Sequence, residues 1–452
     1  MQVVRAPRQA SVTRFARGTG IVLCALLAAP DMGCSQSDDR PPARAAVRIS
    51  ELVAPHAQAD LLSGVMLVAR GDEVVFQQAY GYSRWELGIP NALDTRFGIA
   101  SITKSMTAIL VQRLADAGRI DLDDPVEDYL VRFPRGPDGG VATIRHLLDH
   151  RSGVPHRVTT PVEETRPLSA ADIVERIEAS GLRFEPGSER LYSSAGYTAL
   201  ARILEIVEGE PFDSLLVERV FEPVGMTSAP GETGQNLVPD RASPHRLGSD
   251  GRQIVVKSAP YKHLGFLTGA GSVHLVAEDL LRFVRAIESG VYGSDLAEET
   301  FGGDPSEWRG WYGRTNGYEA SVDLLPSEEL VFVFLSNLQS ASNWQIRERV
   351  RDVLLGREVA AVPLPPAVSE WFEAPSELAG TYGPAEITFV DGDLFRGDNE
   401  FYPIAGEQYY IPGSGTRMRF RRDANGAVDA LVSMSGERES VLAKSAASPL
   451  DP

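Results

Sequence analysis

Apolar residues dominate GVMLVARGDEVVFQQAYGY (64–82), with one break at Gly71-Asp72. That pattern predicts two strands around a turn. A period near that of a helix takes over from Ser101 to Ala117, where Ile102, Met106, Ile109 and Leu114 fall on one face and Gly118 stops the run. ATIRHLLDHRSGVP (142–155) reads as a short helix running into a loop. In YSSAGYTALARILEIVEG (192–209) a loop enters a helix with Tyr197, Leu200, Leu204 and Val207 on one face, and AEDLLRFVRAIES (277–289) is a further helix. Short apolar runs return at ASVDLL (320–325) and ELVFVFLSN (329–337), two more strands. Strands begin and end this region, and helices fill its middle. The expected class is α+β: an antiparallel sheet of sequence-distant strands, flanked by helices and joined to a helical region.

The texture changes near residue 357. REVAAVPLPPAV (357–368) opens a Pro-rich linker over 357–371. Residues 372–452 are short apolar segments separated by Asp391-Gly392, Gly413 and Asn425-Gly426, which predicts a small, barrel-like all-β domain. Residues 51–356 form the main domain, and no internal repeat is evident.

The first 33 residues read as a secretory signal. Arg5, Arg8, Arg14 and Arg17 precede the apolar run Ile21–Ala29, which is too short to span a bilayer as a helix. Two processing routes fit. One is cleavage after Ala29. The other is a lipoprotein route in which Cys34, following Gly33, carries a lipid and tethers the chain to a membrane. Asp31 departs from the lipoprotein pattern, which has leucine there. Residues 34–50 then read as a disordered tether. Cys24 lies in the signal, so Cys34 is alone in the exported part and no intramolecular disulfide forms. The expected location is the periplasm or the outer membrane of a bacterium.

Charge narrows the partners. The formal net charge is -18 at pH 7, and the basic signal makes the exported part more acidic still. Such a surface repels nucleic acid. No Gly-rich phosphate loop appears, and His146 and His150, four apart, lack a third metal ligand nearby. No cofactor is expected.

The chain has four lysines, Lys104, Lys257, Lys262 and Lys444, and Lys104 alone has a serine three residues before it. Ser101 at a helix start has an ordinary explanation as a cap. The spacing also supports chemistry. Residues i and i+3 share a helix face, so the amine reaches the hydroxyl, and the helix N-terminus sets backbone N–H groups beside the oxygen. A neutral lysine there takes the serine proton, which requires its pKa to fall by about 3 units.

DTRFGIASITKSMTA, TIRHLLDHRSGVP, GSERLYSSAGYTALARILEIVEGEPF and ERVFEPVGMTSA follow one another in this order. Together they resemble the serine β-lactamase-like superfamily on its class C side. That group includes class C β-lactamases, family VIII carboxylesterases, D-alanyl-D-alanine carboxypeptidases and D-aminopeptidases. The resemblance covers about residues 51–356. It implies that Ser101 is the nucleophile, Lys104 its base partner and Tyr192 the proton shuttle. The family's Tyr-x-Asn is Tyr192-Ser193-Ser194 here, so one hydroxyl, that of Ser194, replaces an amide. The family's Lys-Thr-Gly or His-x-Gly lies six residues before a Gly-aromatic pair. Counting back from Gly317-Tyr318 gives Trp311-Tyr312-Gly313, a form similar to that of some family VIII carboxylesterases. Tryptophan cannot pair with a substrate carboxylate, so neutral, more apolar acyl groups are expected; the ordinary reading of Trp311 is core packing. The resemblance assigns the two oxyanion donors to the backbone N–H groups of Ser101 and Arg314, with Gly313 closing the motif directly before Arg314. The Arg314 side chain is not expected to stand in for the missing cation.

The expected activity is hydrolysis of small-molecule esters through an acyl-serine. The rivals are a carboxypeptidase, D-aminopeptidase or β-lactamase acting on amides, and a catalytically weak ligand-binding protein. SELAGTYGPAEITF in the C-terminal domain resembles the small lipocalin-like β domains often appended to this family.

Overall fold

A computed structural model of the chain describes residues 41–228, 238–249, 253–293, 304–366, 375–390, 393–396, 399–404, 408–412, 414–435 and 438–445. The expected signal, Cys34, part of the linker and the turns at Asp391-Gly392 and Gly413 lie outside the described residues.

Strand β1 (Gly64–Arg70), β2 (Glu73–Tyr80), β3 (Arg309–Thr315), β4 (Tyr318–Leu325) and β5 (Leu330–Ser336) form one sheet in the order β2-β1-β5-β4-β3. Every pairing is antiparallel. Strands β1 and β5, far apart in sequence, pair from Gly64↔Ser336 to Arg70↔Leu330.

Both faces of this sheet are covered, which explains why β1 and β5 are apolar at nearly every position. On one face Val65, Leu67, Val331 and Val333 join the large core of the helical region. On the other, Met66, Val68, Phe332 and Phe334 pack with Ile49, Val53, Ile346 and Val350. Those last four belong to α1 (Pro41–Gln58) and α6 (Ala341–Leu354).

Helix α1 corrects one expectation. A disordered tether was expected to run to residue 50, yet the chain is helical from Pro41. Pro41 and Pro42 sit in the first turn, where a missing N–H costs nothing, and Ala46, Ile49 and Val53 form a stripe that reaches the sheet.

Helix α2 (Thr103–Asp116) is preceded by one tighter 3₁₀ turn, Ala100–Ile102. Helix α3 spans Ala170–Ser180, α4 Ser194–Glu208 and α5 Ala277–Glu288. Leu280, Phe283, Val284 and Ile287 give α5 an apolar stripe in the large core. Ser193 caps α4 by accepting from the Gly196 N–H, which fixes the direction in which Tyr192 enters.

The C-terminal region holds a four-stranded and a five-stranded antiparallel sheet. A bridge between Tyr382 and Lys444 links the first strand to the end of the last. The two sheets share a core of Leu378, Tyr382, Ile387, Phe401, Tyr409 and Leu431. Glu400 joins this region to the main domain. Its carboxylate accepts from Ser249 Oγ at 2.6 Å, from Ser249 N at 3.0 Å and from Lys257 Nζ at 2.7 Å.

Candidate active site

Lys104 lies one turn after Ser101 and is 6% exposed. Its Nζ donates to Ser101 Oγ at 3.2 Å, to Ser194 Oγ at 3.3 Å and to the Ala270 carbonyl at 2.8 Å. Burial, with a smaller push from the Arg157 charge, lowers its pKa from 10.5 to about 7. Near neutrality a large share of Lys104 is therefore a neutral amine beside the serine oxygen.

Tyr192 approaches from the loop before α4. Its hydroxyl donates to Ser101 Oγ at 2.8 Å. Burial raises the phenol pKa, while the bond to Ser101 partly opposes the rise. The Tyr192 ring lies 4.4 Å from the His150 ring and 5.4 Å from that of His156. Burial is the main cause lowering both histidines, His150 to about 4, so both are neutral at pH 7. The Ser193 N–H donates to His150 Nδ1 at 3.1 Å, which holds the imidazole against the tyrosine at an interplanar angle of 49°. His146, by contrast, accepts from the Thr143 N–H and caps a short helix.

The last wall is strand β3. Its hairpin to β4 turns through Asn316 and Gly317, with φ of 41° and 84°. Two positive φ values mark a two-residue turn whose flanking pair, Thr315↔Tyr318, exchanges both hydrogen bonds. Bonded pairs then recur at Gly313↔Ala320 and Trp311↔Val322, while Tyr312 and Arg314 fall between them. Because β3 is the edge strand, alternation aims the Arg314 N–H off the sheet, beside the Ser101 turn. A Cβ on Gly313 would lie 2.4 Å from the Ile99 carbonyl oxygen and 2.7 Å from Ser101 N, so glycine alone permits this approach. Ala100, just before Ser101, has φ of 49°, strained for a residue with a Cβ.

A cleft of about 510 Å³ opens at Ser101, Lys104 and Tyr192, and Ile109, Ile287 and Trp311 give it an apolar end. Trp311 is half-buried and packs on Phe283 at 6.2 Å between ring centroids, so it serves both packing and the cleft. The Arg314 side chain turns to the other face of the sheet, 3.6 Å from Glu319. Of the residues singled out in the sequence, Ser101, Lys104, Tyr192 and Ser194 meet in one hydrogen-bonded group, and Gly313 abuts it. Sequence reasoning missed the Ala270 carbonyl, the stacking role of His150 and His156, and the charge of Arg157. His150 lay in a quoted segment, but its stacking partner is more than 40 residues away.

The family model that matches this chain is Beta-lactamase, over residues 48–355. The chain belongs to the beta-lactamase family. PbpX of Bacillus subtilis (strain 168), which carries a penicillin-binding-protein name, is 27% identical over 305 residues, covering 65% of this chain and 75% of that protein. Esterase EstB of Burkholderia gladioli is 29% identical over 260 residues, covering 51% of this chain and 66% of the esterase. The crystal structure of D-amino acid amidase from Ochrobactrum anthropi SV3 superposes with a TM-score of 0.60 at 22% identity, covering 69% of this chain and 99% of the amidase; that likeness shows the fold. The chain is a serine hydrolase of the β-lactamase fold.

Proposed function

We propose that this protein is an exported esterase that forms an acyl-serine at Ser101. The observation that carries the reading is the triangle at Ser101 Oγ, with Lys104 Nζ at 3.2 Å and the Tyr192 hydroxyl at 2.8 Å. Ser101 Oγ attacks the ester carbonyl carbon and gives its proton to neutral Lys104. The tetrahedral oxyanion is held by the N–H groups of Ser101 and Arg314. The C–O bond to the alcohol breaks, and the alcohol leaves with a proton passed through Tyr192. Water attacks the acyl-serine by the reverse relay and releases the acid. Trp311 and Ile287 favour a neutral, apolar group in the cleft, and the similarity to an esterase supports ester over amide. Export rests on the basic and apolar pattern of residues 5–29, with Cys34 as the lipid-bearing residue if the lipoprotein route operates.

The test is intact mass after a fluorophosphonate, alongside turnover of p-nitrophenyl butyrate, a D-alanyl peptide and a chromogenic cephalosporin. The expected result is one adduct at Ser101, absent in Ser101→Ala, and faster turnover of the ester than of either amide. An adduct that persists in Ser101→Ala overturns the mechanism. A faster peptide or cephalosporin overturns the ester assignment alone.

A further inference from the structure

In the proposed mechanism the Arg314 N–H is the second oxyanion donor, so its aim matters. Gly313 lets strand β3 close on Ile99 and Ser101, which sets the approach. The ladder does less for the next residue. Arg314 stands opposite Glu319, between the bonded pairs Gly313↔Ala320 and Thr315↔Tyr318, so these two residues exchange no main-chain bond. Strand β3 is also the last in its sheet among the described residues. The donor sits where the ladder grips least, and its side chain is left to steady it.

That side chain is held from behind the sheet. Arg314 Nε lies 3.6 Å from Oε1 of Glu319, whose side chain is 8% exposed. Opposite residues of an unbonded pair bring their side chains closest, which suits an ion pair. Gln339, with its amide oxygen on that side, accepts from the same guanidinium. Glu319 is itself anchored. Its Oε2 accepts from Asn343 Nδ2 at 2.6 Å, the Ser340 N–H adds a bond, and the Tyr312 hydroxyl lies 3.5 Å from Oε1. Ser340 caps α6 and Asn343 lies in its first turn, so the carboxylate meets the positive end of that helix.

A carboxylate is costly at a buried position. Burial pushes the Glu319 pKa up to about 7, and Arg314 leads the groups that oppose the rise. Asp323, on the same face of β4, offers a comparison. It takes Arg347 of α6, with Nε at 2.7 Å, and so ties β4 to a helix. Glu319 instead takes its cation from β3, one residue past Gly313. Its charge acts on the strand that carries the oxyanion donor.

We propose that Glu319 is a positioning residue for the reaction: by holding the Arg314 guanidinium behind the sheet, it keeps the Arg314 N–H aimed at the oxyanion. The proposal rests on Ser101 being the nucleophile. A donor displaced by about 1 Å loses much of its hold on the charge that develops in the transition state and changes ground-state binding little. Glu319 therefore acts on kcat more than on KM.

The test compares the native full chain with Glu319→Gln, Arg314→Met and Arg314→Lys at about pH 8.5, where Glu319 is ionised and Lys104 neutral. All three variants keep the backbone N–H, and Arg314→Lys keeps the cation. Fluorophosphonate titration of Ser101 counts the active enzyme, so rates refer to folded protein. The substrates are p-nitrophenyl butyrate and its thionoester, in which sulfur, a weak acceptor, replaces the carbonyl oxygen. In Glu319→Gln and Arg314→Met, kcat for the ester should fall by about tenfold or more with KM little changed. The ratio of kcat/KM for the ester to that for the thionoester should fall with it. Arg314→Lys should keep most of both. Partial unfolding would lower both substrates together and leave the ratio alone, so a ratio unchanged in Glu319→Gln and Arg314→Met overturns the proposal. If the native chain labels at Ser101 yet turns over no ester, the esterase reading falls by itself. The labelling rate then decides, because the phosphoryl oxygen meets the same donors: labelling about tenfold slower in those two variants upholds the proposal, and equal rates overturn it. No labelling at Ser101 overturns both readings.

Discussion

Lys104 is held in the fold at a cost that its chemistry explains and that pH should reveal. Its pKa falls from 10.5 to about 7, with burial as the main cause. In the unfolded chain the amine returns to its ordinary value. Between pH 7 and 10 the unfolded state therefore binds one more proton than the folded state, and stability rises with pH. The limiting slope is about 1.4 kcal/mol per pH unit for one proton. At pH 7 the cost is about 4 kcal/mol, and about 3 kcal/mol of it disappears by pH 10. Lys104→Met removes this cost. It also removes the bonds to Ser101, Ser194 and the Ala270 carbonyl, worth about 1 kcal/mol each. The variant should be at least as stable as the native protein at pH 7 and less stable at pH 10. Urea unfolding of both proteins across that range measures the difference. In parallel, kcat/KM of the native enzyme for p-nitrophenyl butyrate should rise through pH 7 as Lys104 loses its proton. A stability difference that stays constant within about 1 kcal/mol from pH 7 to 10 would refute the account of Lys104 as a buried amine with a depressed pKa.

Tyr192→Phe removes one hydroxyl and its bond to Ser101, leaving the ring between its histidines. Steady-state kinetics should show kcat down by about 10²–10⁴-fold with KM little changed. Gly313→Ala sets a Cβ against Ile99 and Ser101. Thermal unfolding should register a loss of about 1–3 kcal/mol, and fluorophosphonate labelling of Ser101 should slow. Trp311→Ala widens the apolar end of the cleft beside Phe283. The preference for p-nitrophenyl butyrate over p-nitrophenyl acetate, read as a ratio of kcat/KM, should fall by about tenfold.

Much of the fold was legible because the periods were strong. The helix read from Ser101 to Ala117 appears as a 3₁₀ turn and α2, and the strands at 64–82, 320–325 and 329–337 form β1, β2, β4 and β5 within a residue or two. The tether was misread at its end. Arg44, Arg48 and the prolines gave residues 41–50 a polar cast, and the Ala46–Ile49–Val53 stripe counts as apolar only once a sheet lies beneath it. Ser101 and Lys104 were legible from a three-residue spacing, since one helix turn brings them together whatever surrounds them.

The remainder of the site depends on contacts between distant segments. Tyr192 reaches Ser101 across 91 residues of chain, and Ala270 accepts from Lys104 across 166. No local period encodes those distances; they follow from how α2, α4 and β3 pack. The same holds for the lysine itself. Its place in the sequence puts an amine near a hydroxyl, but only the packing that excludes water from it lowers its pKa to about 7. Local spacing determined which residues could do chemistry. Burial and long-range contact determined their charge, their reach and their neighbours, because desolvation and Coulomb energy depend on distance in space and not on distance along the chain.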